Sequence, residues 1–317
     1  MRPITWRHQI QAAWRRRKAL WPVAPWYMLL VTVVGGLGAL SVLGPVPLAG
    51  TAGLACAEER SPAQYMAEGL EAFQRGDIER AAARWQEAAH LYARTQQPQA
   101  HRIALTHLAH AYEALGHYSQ AVDSLYTALR LAEDAGDRTQ VALILGQLGQ
   151  VMVATGELAD AERLVRDALA VARALGNAGP TAPLLHTHGN LFMAQQKPHE
   201  ALEVYRDSAA LAQQAQQFGM AARALAHAAR AAEYDQQPQL AKSLLGEALA
   251  HLRHAESSHD TAFELLFIGR SYHRLVPVDP TLVLRAAEVL HETAALAQTL
   301  KDPRVLSYAW GYLGRLY

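Results

Sequence analysis

A single cysteine in 317 residues, Cys56, leaves no partner for an intrachain disulfide and no thiolate set for a zinc or iron–sulfur centre. β-Branched residues are sparse beyond the N-terminal segment, and no window alternates strictly between apolar and polar, so strands have no support. No H-E-x-x-H, P-loop, G-x-G-x-x-G or G-x-S-x-G motif occurs, which removes the usual residues of metalloprotease, nucleotide-binding and serine-hydrolase chemistry. The chain also lacks net charge, with 29 basic and 29 acidic residues. That balance hides an asymmetry. Residues 1–57 carry six basic side chains (Arg2, Arg7, Arg15, Arg16, Arg17, Lys18) and no acid, leaving 23 basic against 29 acidic groups in the remainder, a net of −6. An acidic body argues against binding nucleic acid, which needs a basic footprint. What is present is apolar: 51% hydrophobic residues are too many for a disordered chain. The length suits two ordinary domains or one elongated repeat array.

No charged residue lies between Ala19 and Ala57, and Trp26 to Gly44 forms an apolar run of 19 residues. A basic start, an apolar middle and small residues at the end describe a secretory signal, with Ala55 and Ala57 at the small-x-small positions that would release Glu58. A run of this length also approaches the roughly 20 residues that span a bilayer, so residues 1–57 are either a cleaved signal or an N-terminal membrane anchor. Both place residues 58–317 on the exported side, periplasmic or anchored to the inner membrane and facing the periplasm. Two sharper readings fit less well. Gly53 stands where a lipobox leucine belongs before Cys56, and the Arg16-Arg17 pair is ordinary in a basic start.

The body repeats. Ala81, Ala121, Ala161, Ala201 and Ala241 lie 40 residues apart. Each is followed by a large or apolar residue four positions on (Trp85, Leu125, Val165, Tyr205, Leu245) and a small one three beyond that. Upstream runs Leu105-x2-Leu108-Ala109-x2-Tyr112-x3-Gly116 and Leu145-x2-Leu148-Gly149-x2-Met152-x3-Gly156; a sixth unit has Leu265, Ile268, Gly269 and Tyr272, with Ala286 as its displaced alanine. Apolar residues at i, i+3 and i+7 draw one stripe along a helix, and small residues let two helices approach. Each unit is therefore expected to be a pair of antiparallel helices, near residues 62–97, 98–136, 137–179, 180–217, 218–257 and 258–302, with a partial unit at 303–317. Glycines at 76, 116 and 156 supply the turn between halves. Gln196 and Gln236 occupy that place in two units, followed by Pro198 and Pro238, which suit a helix's first turn. Gly176-Asn-Ala-Gly-Pro180 marks a break between units.

These residues resemble the tetratricopeptide repeat (TPR), whose signature Trp-x2-Leu-Gly-x2-Tyr is matched in full by Trp310, Leu313, Gly314 and Tyr317. The period of 40 is longer than the family's usual figure of about 34. The resemblance implies an all-α, right-handed superhelical solenoid over nearly all of residues 58–317, preceded by the hydrophobic signal or anchor helix. The array also resembles long-period arrays that precede caspase-like CHAT peptidase domains in bacteria. Since Trp310 and Leu313 would stand without a partner helix, a truncated chain from a longer protein of that kind is the expected alternative.

TPR-like folds line a concave surface with the first helix of each pair, and such surfaces bind protein or peptide. Carried onto this sequence, the groove row reads Leu70, His110, Gln150, Asn190, Arg230, Arg270 and Arg315, with Arg223, Tyr234, His273 and Arg274 beside it. It grows basic along the array. A basic stripe on an acidic body would select an acidic or C-terminal carboxylate peptide. The competing reading is that these arginines are solvated or pair with Glu233 and Glu264. Histidine pairs at 107/110, 251/254 and 186/188 lack the three or four convergent ligands of a metal site. No catalytic residue, cofactor, metal or small-molecule substrate is expected. A purely structural part in an envelope assembly is the third reading.

Overall fold

The computed structural model describes residues 60–176 and 178–317. The signal or anchor reading of residues 1–57, with its cleavage positions Ala55 and Ala57, lies outside them. Among the described residues there are thirteen helices and no strand. They pair along the chain: α1 (Pro62–Gln74) with α2 (Ile78–Arg94), α3 (Pro98–Ala114) with α4 (Tyr118–Asp134), α5 (Arg138–Thr155) with α6 (Leu158–Leu175). Then follow α7 (Ala178–Ala194) with α8 (Pro198–Gln214), α9 (Phe218–Tyr234) with α10 (Pro238–Leu252), α11 (His259–Leu275) with α12 (Leu282–Leu300), and α13 (Pro303–Leu316). No described helix is long and apolar enough to cross a membrane.

The turns follow one recipe. Gly116 is left-handed at φ 74°, its N–H bonding Glu113 O while His117 N bonds Tyr112 O. Gln196 takes the same conformation at φ 60°, with Gln196 N to Met193 O and Lys197 N to Phe192 O. Gln236 repeats it at φ 59°. The left-handed region costs a side-chain-bearing residue about 1–2 kcal/mol, which these closing hydrogen bonds offset. Pro98, Pro198 and Pro238 open their helices at the first turn, where no backbone donor is lost. The break expected across Gly176–Pro180 is shorter than its residues suggest. α7 already begins at Ala178, so Gly179 and Pro180 lie in its first turn, where proline is tolerated.

Small residues set the packing distance. A Cβ on Gly69 would fall 2.5 Å from the Trp85 ring, and one on Gly189 2.5 Å from the Tyr205 ring. Both aromatic side chains are fully buried. α9 carries eight buried alanines and is packed on nearly every side, which brings its neighbours close. Leu313, expected to lack a partner, is instead buried with Leu290, Ala294, Val305 and Ala309, because α13 packs on α11 and α12. Trp310 remains more than half exposed, edge-on to His291.

Solenoid repeats ordinarily touch only their neighbours. Here the first unit also reaches the sixth. The Phe73 ring of α1 lies 5.6 Å from His259 of α11 and 5.1 Å from His110 of α3. His259 Nδ1 is 2.5 Å from Asp302 Oδ2, and Asp302 sits against Gly76, where a Cβ would fall 2.5 Å from its Oδ1. The first helices of the first and sixth units thus touch directly.

Candidate functional site

Four of the residues expected in the groove share one cavity of about 740 Å³: Gln150 of α5, Asn190 of α7, and Arg230 and Tyr234 of α9. They come together because each lies on the first helix of its unit and these helices are neighbours. Asn190 Nδ2 donates to Gln150 Oε1 at 2.8 Å across adjacent units. The Arg230 guanidinium rests 5.8 Å from the centre of the Tyr234 ring, one helical turn away. No carboxylate lines this cavity, and among the described residues Arg230 makes no ion pair.

The cavity residues outside the groove row include two that carry ionisable rings, Tyr205 of α8 and His227 of α9. Tyr205 occupies the apolar position of its unit, where other units carry tryptophan, leucine or valine. A hydroxyl there needs a partner when buried, and it donates to Asn190 Oδ1 at 2.6 Å. Its phenol is raised well above the usual range by burial. His227 stacks on Phe267 at 4.9 Å and 10° and meets His186 edge-on at 4.6 Å. Burial, aided by Arg223 and Arg230, pushes His227 down to about 3, and burial lowers His186 likewise. Both imidazoles are therefore neutral at pH 7.

The other expected groove residues divide. Arg223 Nε donates to Glu264 Oε1 at 2.5 Å and its Nη2 lies 3.6 Å from Asp260, beside a second cavity of about 470 Å³ between α9 and α11. Arg274 grips Glu233 with three contacts of 2.8–3.0 Å. These two arginines are consumed in ion pairs between units. Arg270 of α11 and Arg315 of α13 make none among the described residues; both stand 6.0 Å from the Tyr312 ring. His110 lies tilted against Phe73 outside this cavity, its imidazole lowered by burial, and His273 is half-buried on α11. No group of three or more His, Cys, Asp or Glu side chains among the described residues is placed to hold a metal ion.

Residues 100–174 match the family model of the tetratricopeptide repeat. No curated protein sequence matches the chain. Among solved structures, a Rap protein complexed with competence and sporulation factor is similar at 14% identity and a TM-score of 0.58, covering 80% of this chain and 74% of that one. The Rap conjugation gene regulator of plasmid pLS20, in complex with the Phr* peptide, is similar at 13% identity with the same TM-score and coverage. The apo form of RapI follows at 10% identity and a TM-score of 0.51, covering 80% of this chain and 99% of that one. Identities this low speak to the fold alone. Together with the family match they show that the described residues form a TPR-like helical-repeat solenoid.

Proposed function

We propose that the chain is a non-catalytic scaffold whose concave face binds an acidic peptide segment, extending from the Arg230 cavity along Arg270 and Arg315. The observation that carries this reading is the unpaired Arg230 in a cavity fed by four helices. α13 contains no acidic residue, and α11 has none after Glu264, so the row from Arg230 to Arg315 keeps its positive charge. Arginines stacked on tyrosine rings are pre-oriented and less strongly hydrated than lysines, which suits them to carboxylates. The Rap structures, whose titles name a bound factor and a bound Phr* peptide, lend the fold-level precedent.

Panning a displayed peptide library on the full chain tests this. Enriched peptides are expected to carry net negative charge. The triple variant Arg230→Ala/Arg270→Ala/Arg315→Ala is expected to keep its helical circular dichroism and lose at least about tenfold in affinity, as for one or more charge-assisted bonds. Neutral or basic consensus peptides, or undiminished binding by the variant, would count against the reading.

We also place this binding on the exported side of a bacterial membrane, from the uncharged run of residues 19–57. N-terminal sequencing of the chain from cell fractions checks it. A chain beginning at Glu58 in the periplasm, or at Met1 in the membrane, is expected; a cytosolic chain beginning at Met1 would overturn the placement.

A further inference from the structure

α13 shows a face that every earlier first helix hides. Four first helices carry a glycine at one position of the repeat, Gly69, Gly149, Gly189 and Gly269. In each, a Cβ would fall 2.5–2.9 Å from a side chain of the unit's own second helix: Trp85, Val165, Tyr205 and Leu290, all buried. Ala109 and Ala229 hold that position in the other two units and are buried too. Gly314 holds it in α13, yet among the described residues nothing beyond the adjoining helix backbone lies within 4 Å of where its Cβ would be, and the same is true of Gly311. The rings on either side are bare in step. Trp310 is 56% exposed where its counterpart Leu265 is 4%, and Tyr317 is 89% exposed where Tyr272 is 3%.

The helical repeat puts Ser307, Trp310, Gly311, Gly314 and Tyr317 on one exposed side of α13. None of the five is charged, so two copies can meet there without like-charge repulsion. The side also complements itself. Positions 310 and 314 are symmetric about Tyr312, and so are 307 and 317. Two copies of α13 set antiparallel about a two-fold axis at Tyr312 therefore lay Trp310 of each copy over Gly314 of the other, and Tyr317 over Ser307. That reproduces, between chains, the ring-on-glycine contact that Trp85 makes with Gly69 and Tyr205 with Gly189 inside their units. Arg315 stands about 100° round the helix from Gly314 and stays outside this face, as does the groove row it belongs to.

We infer that α13 is the docking surface for a second copy of this chain, the two arrays joining end to end through an antiparallel α13 pair. Each helix takes, for its partner, the place that a second helix takes inside a unit. Burial of four aromatic rings per dimer drives the association. The contact is one helix of 14 residues from each copy, a small interface, so a dissociation constant on the order of micromolar is expected.

Sedimentation equilibrium of the chain as recovered from cells tests this. The wild type is expected to climb from the mass of one chain to that of two as its concentration rises. Trp310→Gly removes the ring from each contact, and Gly314→Trp sets ring against ring. Each single variant is expected to weaken the dimer at least about tenfold. Helical circular dichroism should hold in both, since Gly314 has open space around it and Trp310 is more than half exposed. The swapped variant Trp310→Gly/Gly314→Trp restores both ring-on-glycine contacts in the antiparallel register and is expected to recover the dimer. Ile103→Ala, which trims an exposed side chain on α3, is expected to leave association unchanged. A wild type that stays at one chain up to about 0.1 mM would overturn the inference and leave the face to a helix of another protein. A dimer that neither single variant weakens would place the contact elsewhere and overturn it too. Loss in the single variants without recovery in the folded swap would overturn the antiparallel register.

Discussion

Arg223→Ala is expected to destabilise the array by about 3 kcal/mol at pH 7, the lower end of the range for breaking a buried ion pair. Arg223 joins α9 to α11 through a 2.5 Å contact with Glu264, whose side chain is almost wholly buried. The arginine itself is about a third exposed, which screens part of its attraction and favours the lower figure. Removing it leaves a buried carboxylate with no counter-charge. Burial already raises the Glu264 carboxyl and Arg223 opposes that rise, so the variant's carboxyl moves higher still. The sign follows. A carboxyl whose folded pKa exceeds its unfolded value binds more protons when folded, so its variant loses stability as pH rises and regains it on acidification. Urea denaturation at pH 5 and pH 7 reads this directly, with the smaller loss expected at pH 5. The double variant Arg223→Met/Glu264→Leu is expected to recover most of the deficit, since an apolar pair carries no desolvation cost. A single variant within about 1 kcal/mol of wild type at pH 7 would show that the pair contributes only as a surface bridge does.

That pair also marks how far the sequence could be read. The helix pairs were legible because each unit repeats small residues at fixed offsets from apolar ones, and packing through Gly189 or Gly69 needs no more than that spacing. Which arginines stay free was also encoded, though in a less obvious period. Arg223 and Glu264 are 41 residues apart, as are Glu233 and Arg274, because that offset joins neighbouring first helices across one unit. Positions 41 residues either side of Arg230 are Gly189 and Ser271, and those around Arg270 are Ala229 and Gly311. Neither arginine has an acid at that offset, which distinguishes them in the sequence from Arg223 and Arg274 once the offset is known. Tyr205 and His227 left weaker traces, a lone hydroxyl at an apolar position and a histidine one turn after Arg223. The contact between Phe73 and His259 left none. It depends on curvature accumulated over five units, and no local pattern sets that sum.

His227 makes the second large expected effect. Lowering the pH from 7 to 4 should cost the wild type roughly 3 kcal/mol through this side chain alone. In the unfolded chain it takes up a proton near pH 6.5, while in the fold burial, Arg223 and Arg230 hold it neutral down to about 3. Between those values the unfolded state binds the extra proton, so stability falls with falling pH across that window and the loss is complete near the folded value. His186 shifts in the same direction and steepens the slope. Glu113 opposes it. Burial raises its carboxyl to about 7, so its share of stability grows as the pH falls from 7 toward its ordinary value. His227→Phe isolates the histidine, because phenylalanine preserves the stack on Phe267 and leaves His186 and Glu113 in place. The variant is expected to lose less than the wild type between pH 7 and pH 4 by that same roughly 3 kcal/mol, measured by urea denaturation at each pH. Equal losses in the two proteins would mean that His227 is protonated beside Arg230. The cavity would then carry two cations, Arg230 and His227, with no carboxylate in its wall.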